Sequence, residues 1–383
     1  MRRIADYMSS ISILMATYNG GEFLDYQLES LAHQSKLPAE LVVVDDCSTD
    51  NTLSIVRQFT THSPFPVHIY KNHYNKGYRR NFIDGTTLCR SDLIAFCDQD
   101  DVWHEDKLLV IGEQFTESSI LLAYHNANVV DSNGNFIDFL WPKGSHPDRS
   151  DPLTSGPWSY ALGFTQTFRR DLLWFSYLWE DSVDHCHPKE RLAHDQWLFF
   201  LASVFGKIVY LDQELVNYRQ HDHNLYGVRW DVSMMDDNVN KRNPISSFFI
   251  SASGLLEEDG ARFAQLSSIA ENRGDILQAI AKDKVYLPNI RQQAIAAASQ
   301  YSALAERLSL RARIYEQRLV INRFVAWCKL LYMKAYGSYG SWSFSVKAAA
   351  RDALLGIVIG PRARRVVRSV LKLITFYGVS SRS

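Results

Sequence analysis

The chain has 383 residues, 46% apolar and 22% charged, with a net charge of −1. That is globular composition with ample core and room for two domains. The near-neutral sum hides a basic tail: from Arg307 onward fifteen lysines and arginines face only Glu316 and Asp352.

In chain order, Ile11 to Thr17 reads as a buried strand broken by Tyr18-Asn19-Gly20-Gly21, and Phe23 to His33 has helical spacing. Leu41 to Val44 is a second strand, ending in Asp45-Asp46-Cys47-Ser48-Thr49-Asp50. Ser48 or Thr49 can cap a helix from Asn51 to Phe59. Val67 to Tyr70 is a third strand, Asn72 to Arg80 a polar loop, and Asn81 to Cys89 a helix. Leu93 to Phe96 is a fourth strand, and it runs straight into Asp98-Gln99-Asp100-Asp101.

Three carboxylates this close repel one another. Either a divalent cation such as Mg²⁺ or Mn²⁺ sits among them, or they form a solvated turn capping the helix that follows His104. Strands alternating with helices predict an α/β fold with a mostly parallel sheet. Such sheets bind ligands beyond their carboxyl ends, where all three polar clusters fall.

Further along, Asp106 to Phe115 reads as a helix, Ile120 to His125 as a strand and Asp131 to Asn135 as a turn. Phe136 to Pro157 is loop-like; its Trp141 and the adjoining Trp158 either stack on sugar rings or join the core. Ala161 to Phe168 is a strand, Asp171 to Trp179 a helix, His194 the start of an apolar helix, and Lys207 to Leu211 a strand. His185-Cys186-His187 has a spacing that suits no common metal site.

From about residue 240 the chain turns helical, with Phe248–Leu256, Ala261–Ile280 and 289–336 as helices. The predicted division is 1–240 and 241–383. A final helix over 361–377 sets Val366, Val370 and Leu373 on one face and Arg364, Arg365 and Arg368 on the other. It reads as an anchor on an anionic membrane surface or as a helix packed on protein. No nucleic-acid recognition motif accompanies the charge. The five cysteines show no CxxC pair, Met1 to Asp6 lacks the apolar core of a signal peptide, and no apolar run nears the roughly 20 residues of a membrane span. A reducing cytoplasm is the expectation.

Ala16-Thr17-Tyr18-Asn19, Val44 to Asp50, Asn75-Lys76-Gly77 with Asn81, the acid cluster with Trp103 and Lys107, Gly163-Phe164-Thr165, His194-Asp195-Gln196-Trp197 and Tyr218 to His221 occur in that order. Together they resemble glycosyltransferase family 2, inverting enzymes of GT-A fold that use nucleotide sugars. The DQDDxW form looks most like bacterial rhamnosyltransferases of surface-polysaccharide assembly.

The resemblance implies a dTDP- or UDP-sugar donor and a glycan or lipid-linked acceptor, met at the inner membrane face. It implies a donor site of Thr17, Tyr18, Asn19, Asp45, Asp46, Lys76, Gly77, Arg79, Asn81, Asp98, Gln99, Asp100, Asp101, Trp103, Gly163 and Arg219. It further implies Asp100, Asp98 and His221 as ligands of Mg²⁺ or Mn²⁺, and Asp195 as the base, with His194 replacing the family's usual Glu. On the residues themselves, Asp45 can accept from a pyrimidine N3–H or cap a turn. Lys76, Arg79 and Arg80 can meet a diphosphate or stay solvated. Two alternatives remain at this stage. A nucleotidyltransferase would need a basic residue after the first strand, which Tyr18 to Glu22 lacks; a non-catalytic assembly scaffold would have no need to keep Asp98, Asp100 and Asp195.

Overall fold

The computed structural model describes residues 9–222, 224, 260–337, 342–359 and 361. It divides into two compact units, residues 1–227 with 280–294, and residues 228–279 with 295–383. The expected 240/241 boundary, the Phe248–Leu256 helix, the N-terminal hexapeptide and all of the terminal helix except Pro361 lie outside the described residues.

The first unit is built on a ten-stranded sheet of order β3-β2-β1-β4-β9-β6-β10-β5, with β7 added to β6 and β8 to β10. The strands are β1 (Ile11–Thr17), β2 (Glu40–Asp45), β3 (Val67–Lys71), β4 (Leu93–Cys97), β5 (Val102–Trp103), β6 (Ile120–Val130), β7 (Phe136–Phe139), β8 (Arg149–Ser150), β9 (Gln166–Arg169) and β10 (Lys207–Arg219). β2 and β4 are buried at every residue, which is why they read as unbroken apolar runs instead of alternating ones. Helices α1 (Leu24–Ala32), α2 (Thr52–Thr60), α3 (Tyr78–Thr86), α4 (Lys107–Gly112) and α5 (His194–Phe205) connect them.

The order of the first four strands places the site. From β1 the chain winds outward through β2 to β3, then returns to β4 on the other side of β1, all in parallel. The winding reverses between β1 and β4, and a crevice opens beyond their carboxyl ends. Helix α3 lies close over this region: a Cβ on Gly85 would stand 2.8 Å from Leu14 Cδ1 and 3.0 Å from Val44 Cγ2.

Several sequence expectations shift. Mostly parallel holds for the long strands, but β9 inserts antiparallel between β4 and β6. Residues 163–165 form a 3-10 turn and only Gln166–Arg169 is strand. The loop expected over 136–157 contains β7, returned onto β6 by a turn in which Gly134 takes φ 86°. Trp141 is core, packed edge-on to Tyr124, whereas Trp158 is half-buried and stacks on His185. α3 begins at Tyr78, so Arg79 and Arg80 are helical.

Neither Ser48 nor Thr49 caps α2: its N-cap is Asn51, without a side-chain cap bond, and Asp50 just before it accepts from Thr52 N at 3.0 Å. β10 continues past Leu211 to Arg219, with register shifts after Leu211 and Glu214 that hid its period.

The second unit holds most of α6 (Gly260–Lys282) and α7 (Pro288–Glu316), whose residues 280–282 and 288–294 belong to the first, and all of α8 (Val320–Tyr332), α9 (Val346–Arg351) and a π-type segment, Asp352–Ile359. The helical stretch expected over 289–336 consists of two helices that part at 317–319. Asp352 is fully buried and accepts from Arg311 Nε and Nη2 at 2.9 Å each, from Tyr315 at 2.7 Å and from Tyr336 at 2.5 Å. Among the described residues no helix is long and apolar enough to cross a membrane.

Candidate active site

A cavity of about 830 Å³ opens at the carboxyl ends of β1 and β4. Thr17, Tyr18, Asn19, Asp46, Gly77, Arg79, Asn81, Asp98, Gln99, Asp100, Gly163, Asp195 and His221 all line it. These residues come from seven stretches of chain, and the sheet's reversal gathers them.

The crevice is held open by side chains acting as backbone. Gln99 Oε1 accepts from Tyr18 N at 2.9 Å, and its Nε2 donates to Tyr18 O at 3.2 Å, a reciprocal amide bridge between the two loops. Glycine at position 20 leaves room for this bridge, because a Cβ there would stand 2.1 Å from Gln99 Oε1 and displace the amide. Asn19 sits at φ 46° and accepts from Thr49 N at 2.9 Å, tying the β1 loop to the β2 loop.

Five expected donor residues do not line the cavity. Asp45 is fully buried, taking Thr17 Oγ1 at 3.1 Å, Ser48 N at 2.9 Å and the Ser48 hydroxyl, so it braces two loops. Asp46 faces the cavity instead and shapes the next loop, accepting from Asn72 Nδ2, Lys76 N and Gly77 N at 2.8–2.9 Å. Lys76 Nζ pairs with Asp84 at 2.8 Å, as does Arg80 at 2.7 Å.

Asp101 is fully buried, with Oδ1 accepting from Arg219 N at 3.1 Å. Arg219 gives its guanidinium to the carbonyls of Asp100 and Ser132 and stacks over Phe23, so it fixes the acid loop. Trp103 is buried beneath Lys107, whose Nζ stands 3.5 Å from its ring centre and donates to Phe164 O at 2.7 Å. Lys107 is thus a buried cation under the acids, and burial lowers it to about 7.

The electrostatics of the cavity are strained toward neutrality. Burial raises Asp98 to about 7, and the charges of Asp100 and Asp195 add to it. Burial raises Asp101 well above the carboxylate range, with Asp100 and Asp98 next in weight. Opposite them, Asp195 at the first turn of α5 is pushed by burial to about 6, although the amides of Gln196 and Gly163 bond its carboxylate. Each of these shifts reflects a charge that burial leaves poorly solvated.

His194, in the usual Glu position, is stacked on Phe82 at 3.9 Å and edge-on to Phe96 at 4.6 Å. Burial, then Arg79, drives it to about 3, so it packs as a neutral ring. Gly163 makes room for it: a Cβ there would stand 2.6 Å from His194 Nε2.

His221 Nε2 lies 3.0 Å from Asp100 Oδ2. With Asp98, this donor set of two carboxylates and an imidazole suits Mg²⁺ or Mn²⁺ in its chemistry, and all three open on the one cavity. They do not close into a tight cage. Among the described residues the only three ligand atoms within 4.8 Å of one another belong to Asp184, His185 and Cys186. There Asp184 already holds Arg79 Nη2 at 2.8 Å, a guanidinium where a cation would have to approach.

That Asp184–Arg79 pair was not foreseen. An isolated Asp in Ser182 to His187 carries no pattern, and only the fold brings it under Arg79. Phe23, Tyr78 and Tyr160 also line the cavity without a signal of their own.

Residues 12–174 match the model of Glycosyl transferase family 2. The chain is 29% identical over 222 residues to an uncharacterized glycosyltransferase of Nostoc sp., covering 56% of this chain and 66% of that protein. It is 29% identical over 226 residues to the dTDP-rhamnosyl transferase RfbG of Shigella flexneri, covering 56% and 73%. The chain therefore spans just under two thirds of the Nostoc relative. Among solved structures, S. aureus TarS 1–349 superposes with a TM-score of 0.47 at 18% identity, covering 86% of this chain and 94% of that one.

Proposed function

We propose that this chain, whose residues 12–174 match the model of Glycosyl transferase family 2, is a member of that family and transfers a sugar from a nucleoside-diphosphate donor to a glycan or lipid-linked acceptor, with inversion at the anomeric carbon. One observation carries the proposal: a single cavity joins the β1 and β2 loops, the Asp98–Asp100 acids and, from a separate helix, the buried carboxylate of Asp195. Rhamnose, carried on dTDP, is the donor sugar we assign, because the chain is similar to RfbG over 226 residues.

In this reading Tyr18, 48% exposed at the cavity mouth, offers a face for the base. The backbone turn at Asn19 and the loop that Asp46 holds shape the nucleoside pocket. Arg79, the one lysine or arginine among the described residues that line the cavity, would meet the diphosphate, and Asp184 holds its guanidinium at 2.8 Å. Asp98, Asp100 and His221 would hold Mg²⁺ or Mn²⁺, which stabilises the leaving diphosphate when bound.

Asp195 takes the acceptor hydroxyl's proton as that oxygen attacks from the side opposite the leaving group. Its raised pKa of about 6 suits this role, since a base near the working pH is still ionised and holds a proton better than an ordinary carboxylate. The wall of Gly163, Phe164 and neutral His194 closes off water behind it. We place the acceptor at the inner face of the cell membrane in polysaccharide assembly.

A panel of nucleotide sugars, each with Mg²⁺ or Mn²⁺, tests the reading by thermal stabilisation and donor hydrolysis. A dTDP- or UDP-sugar should stabilise the protein, EDTA should remove the effect, and Asp100→Ala should reproduce EDTA. Stabilisation that ignores both EDTA and Asp100→Ala would end the metal assignment; stabilisation by no nucleotide sugar would end the donor assignment.

A further inference from the structure

Helix α8 (Val320–Tyr332) is packed the wrong way round for a helix facing water. Its buried side consists of Arg323, Ala326 and Leu330, with Arg323 only 4% exposed and its Nη1 donating to Gly356 O at 2.9 Å. Its outer side carries Val320, Ile321, Phe324, Val325, Leu331 and Tyr332, all exposed, with Ile321 at 62% and Tyr332 at 90%. At 3.6 residues per turn, Val320, Phe324 and Leu331 fall on one line, with Ile321, Val325 and Tyr332 beside it. In the segment bonded to Arg323, Leu354 and Val358 are exposed as well. A protein that hides its arginine and shows water its large apolar residues is built to cover that face with something else.

The charges around the face choose among candidates. From Gln317 to Ile359 the sole acid is Asp352, which is buried and fully bonded. The exposed charges are Arg318, Lys329, Lys334 and Lys347, all positive. A second copy of the chain would set these cations against their own kind. So would the chain's own residues 362–383, which hold six lysines and arginines and no acid. An apolar stripe whose own helix and following segment expose cations and no acid matches an anionic lipid surface.

We infer that α8 lies in the plane of an anionic membrane, with Ile321, Phe324, Val325 and Tyr332 inserted among the acyl chains and Lys329 and Lys334 on the headgroups. This contact is separate from the terminal helix anticipated over 361–377 and does not depend on the sugar-transfer reading.

The test uses the full chain and vesicles of phosphatidylcholine with or without phosphatidylglycerol, followed by flotation. Wild-type protein should float only with phosphatidylglycerol. Ile321→Ser/Phe324→Ser should bind at least about tenfold more weakly, since two inserted side chains are lost. Lys329→Gln/Lys334→Gln should weaken binding by a smaller factor that disappears in high salt. Both sites are exposed, so thermal unfolding should stay at the wild-type value.

Arg364→Gln/Arg365→Gln/Arg368→Gln separates the tail from α8. Binding lost in this variant yet intact in Ile321→Ser/Phe324→Ser overturns the inference, as does a wild-type protein that ignores phosphatidylglycerol. A dimer in sedimentation that dissolves on Ile321→Ser/Phe324→Ser would show self-association and would equally overturn it.

Discussion

Two sets of buried or half-buried carboxylates in this chain meet opposite treatment. Asp352, in the helical unit, accepts four hydrogen bonds from Arg311, Tyr315 and Tyr336, and the Arg311 guanidinium lies 4.0 Å above the Phe263 ring. Asp98, Asp101 and Asp195, at the sheet edge, crowd one another; burial lifts all three, and Lys107 is the cation beneath Asp98 and Asp101. The first set is complete by itself and holds helices together. The second is incomplete without something the chain does not supply, so removing a member should cost activity more than stability. The comparison teaches that burial alone does not mark a functional acid; burial without sufficient donors does.

The sharpest way to break this comparison is Asp195→Asn. Turnover should fall on the order of 10²–10⁴-fold while the unfolding temperature holds or rises. A variant that keeps turnover would strip Asp195 of its role as base. Next in size, Asp352→Asn leaves Arg311 buried without its counter-charge and should cost about 3–5 kcal/mol in denaturant unfolding. Wild-type stability there would erase the contrast between the two sets.

A pH series refines it. Asp195 ionises at about 6 in the folded chain, so kcat/KM should drop about tenfold per pH unit below 6, as the base takes up its proton. The stability sign runs the other way. The folded state keeps that proton over a range where the unfolded carboxyl, at about 4, has lost it. The Asp195 contribution is therefore favourable at low pH and is lost as pH rises through about 6, and Asp195→Asn should remove this slope.

The smallest expected effect is at Gly163→Ala, where the new methyl meets His194 Nε2. Donor KM should rise by up to about tenfold, and adding His194→Ala should restore most of it. Failure of that rescue would separate Gly163 from His194.

The motif positions were legible because a parallel sheet sends every strand's carboxyl end to one edge, whatever its side chains do there. Thr17, Asp46, Asp98 and Asp100 could be placed at one site from strand ends, whereas Asp195, at the start of a helix, was placed there only by the family resemblance. Partnering was not legible. Asp45 and Asp46 are neighbours of one type, yet Asp45 turns inward to Thr17 and Ser48 while Asp46 faces the cavity. Arg219 looks like a phosphate ligand until the fold gives its guanidinium two carbonyls. The β10 strand was cut short because its bulges break the period-two pattern on which the reading depends.

By itself, then, the sequence determined the α/β alternation, the edge at which chemistry gathers and the basic character of the tail. These follow from local periodicity, strand direction and charge counting, and none of them needs a distant residue. Tertiary structure alone decided which acids are braced and which are exposed to a ligand, that His194 is a neutral packing ring, that Arg79 answers to Asp184, and that α8 turns its arginine inward and its apolar side out. Each of those depends on which remote group lies within about 3–4 Å, the range over which hydrogen bonds and packing act, and no local pattern along a chain encodes that distance.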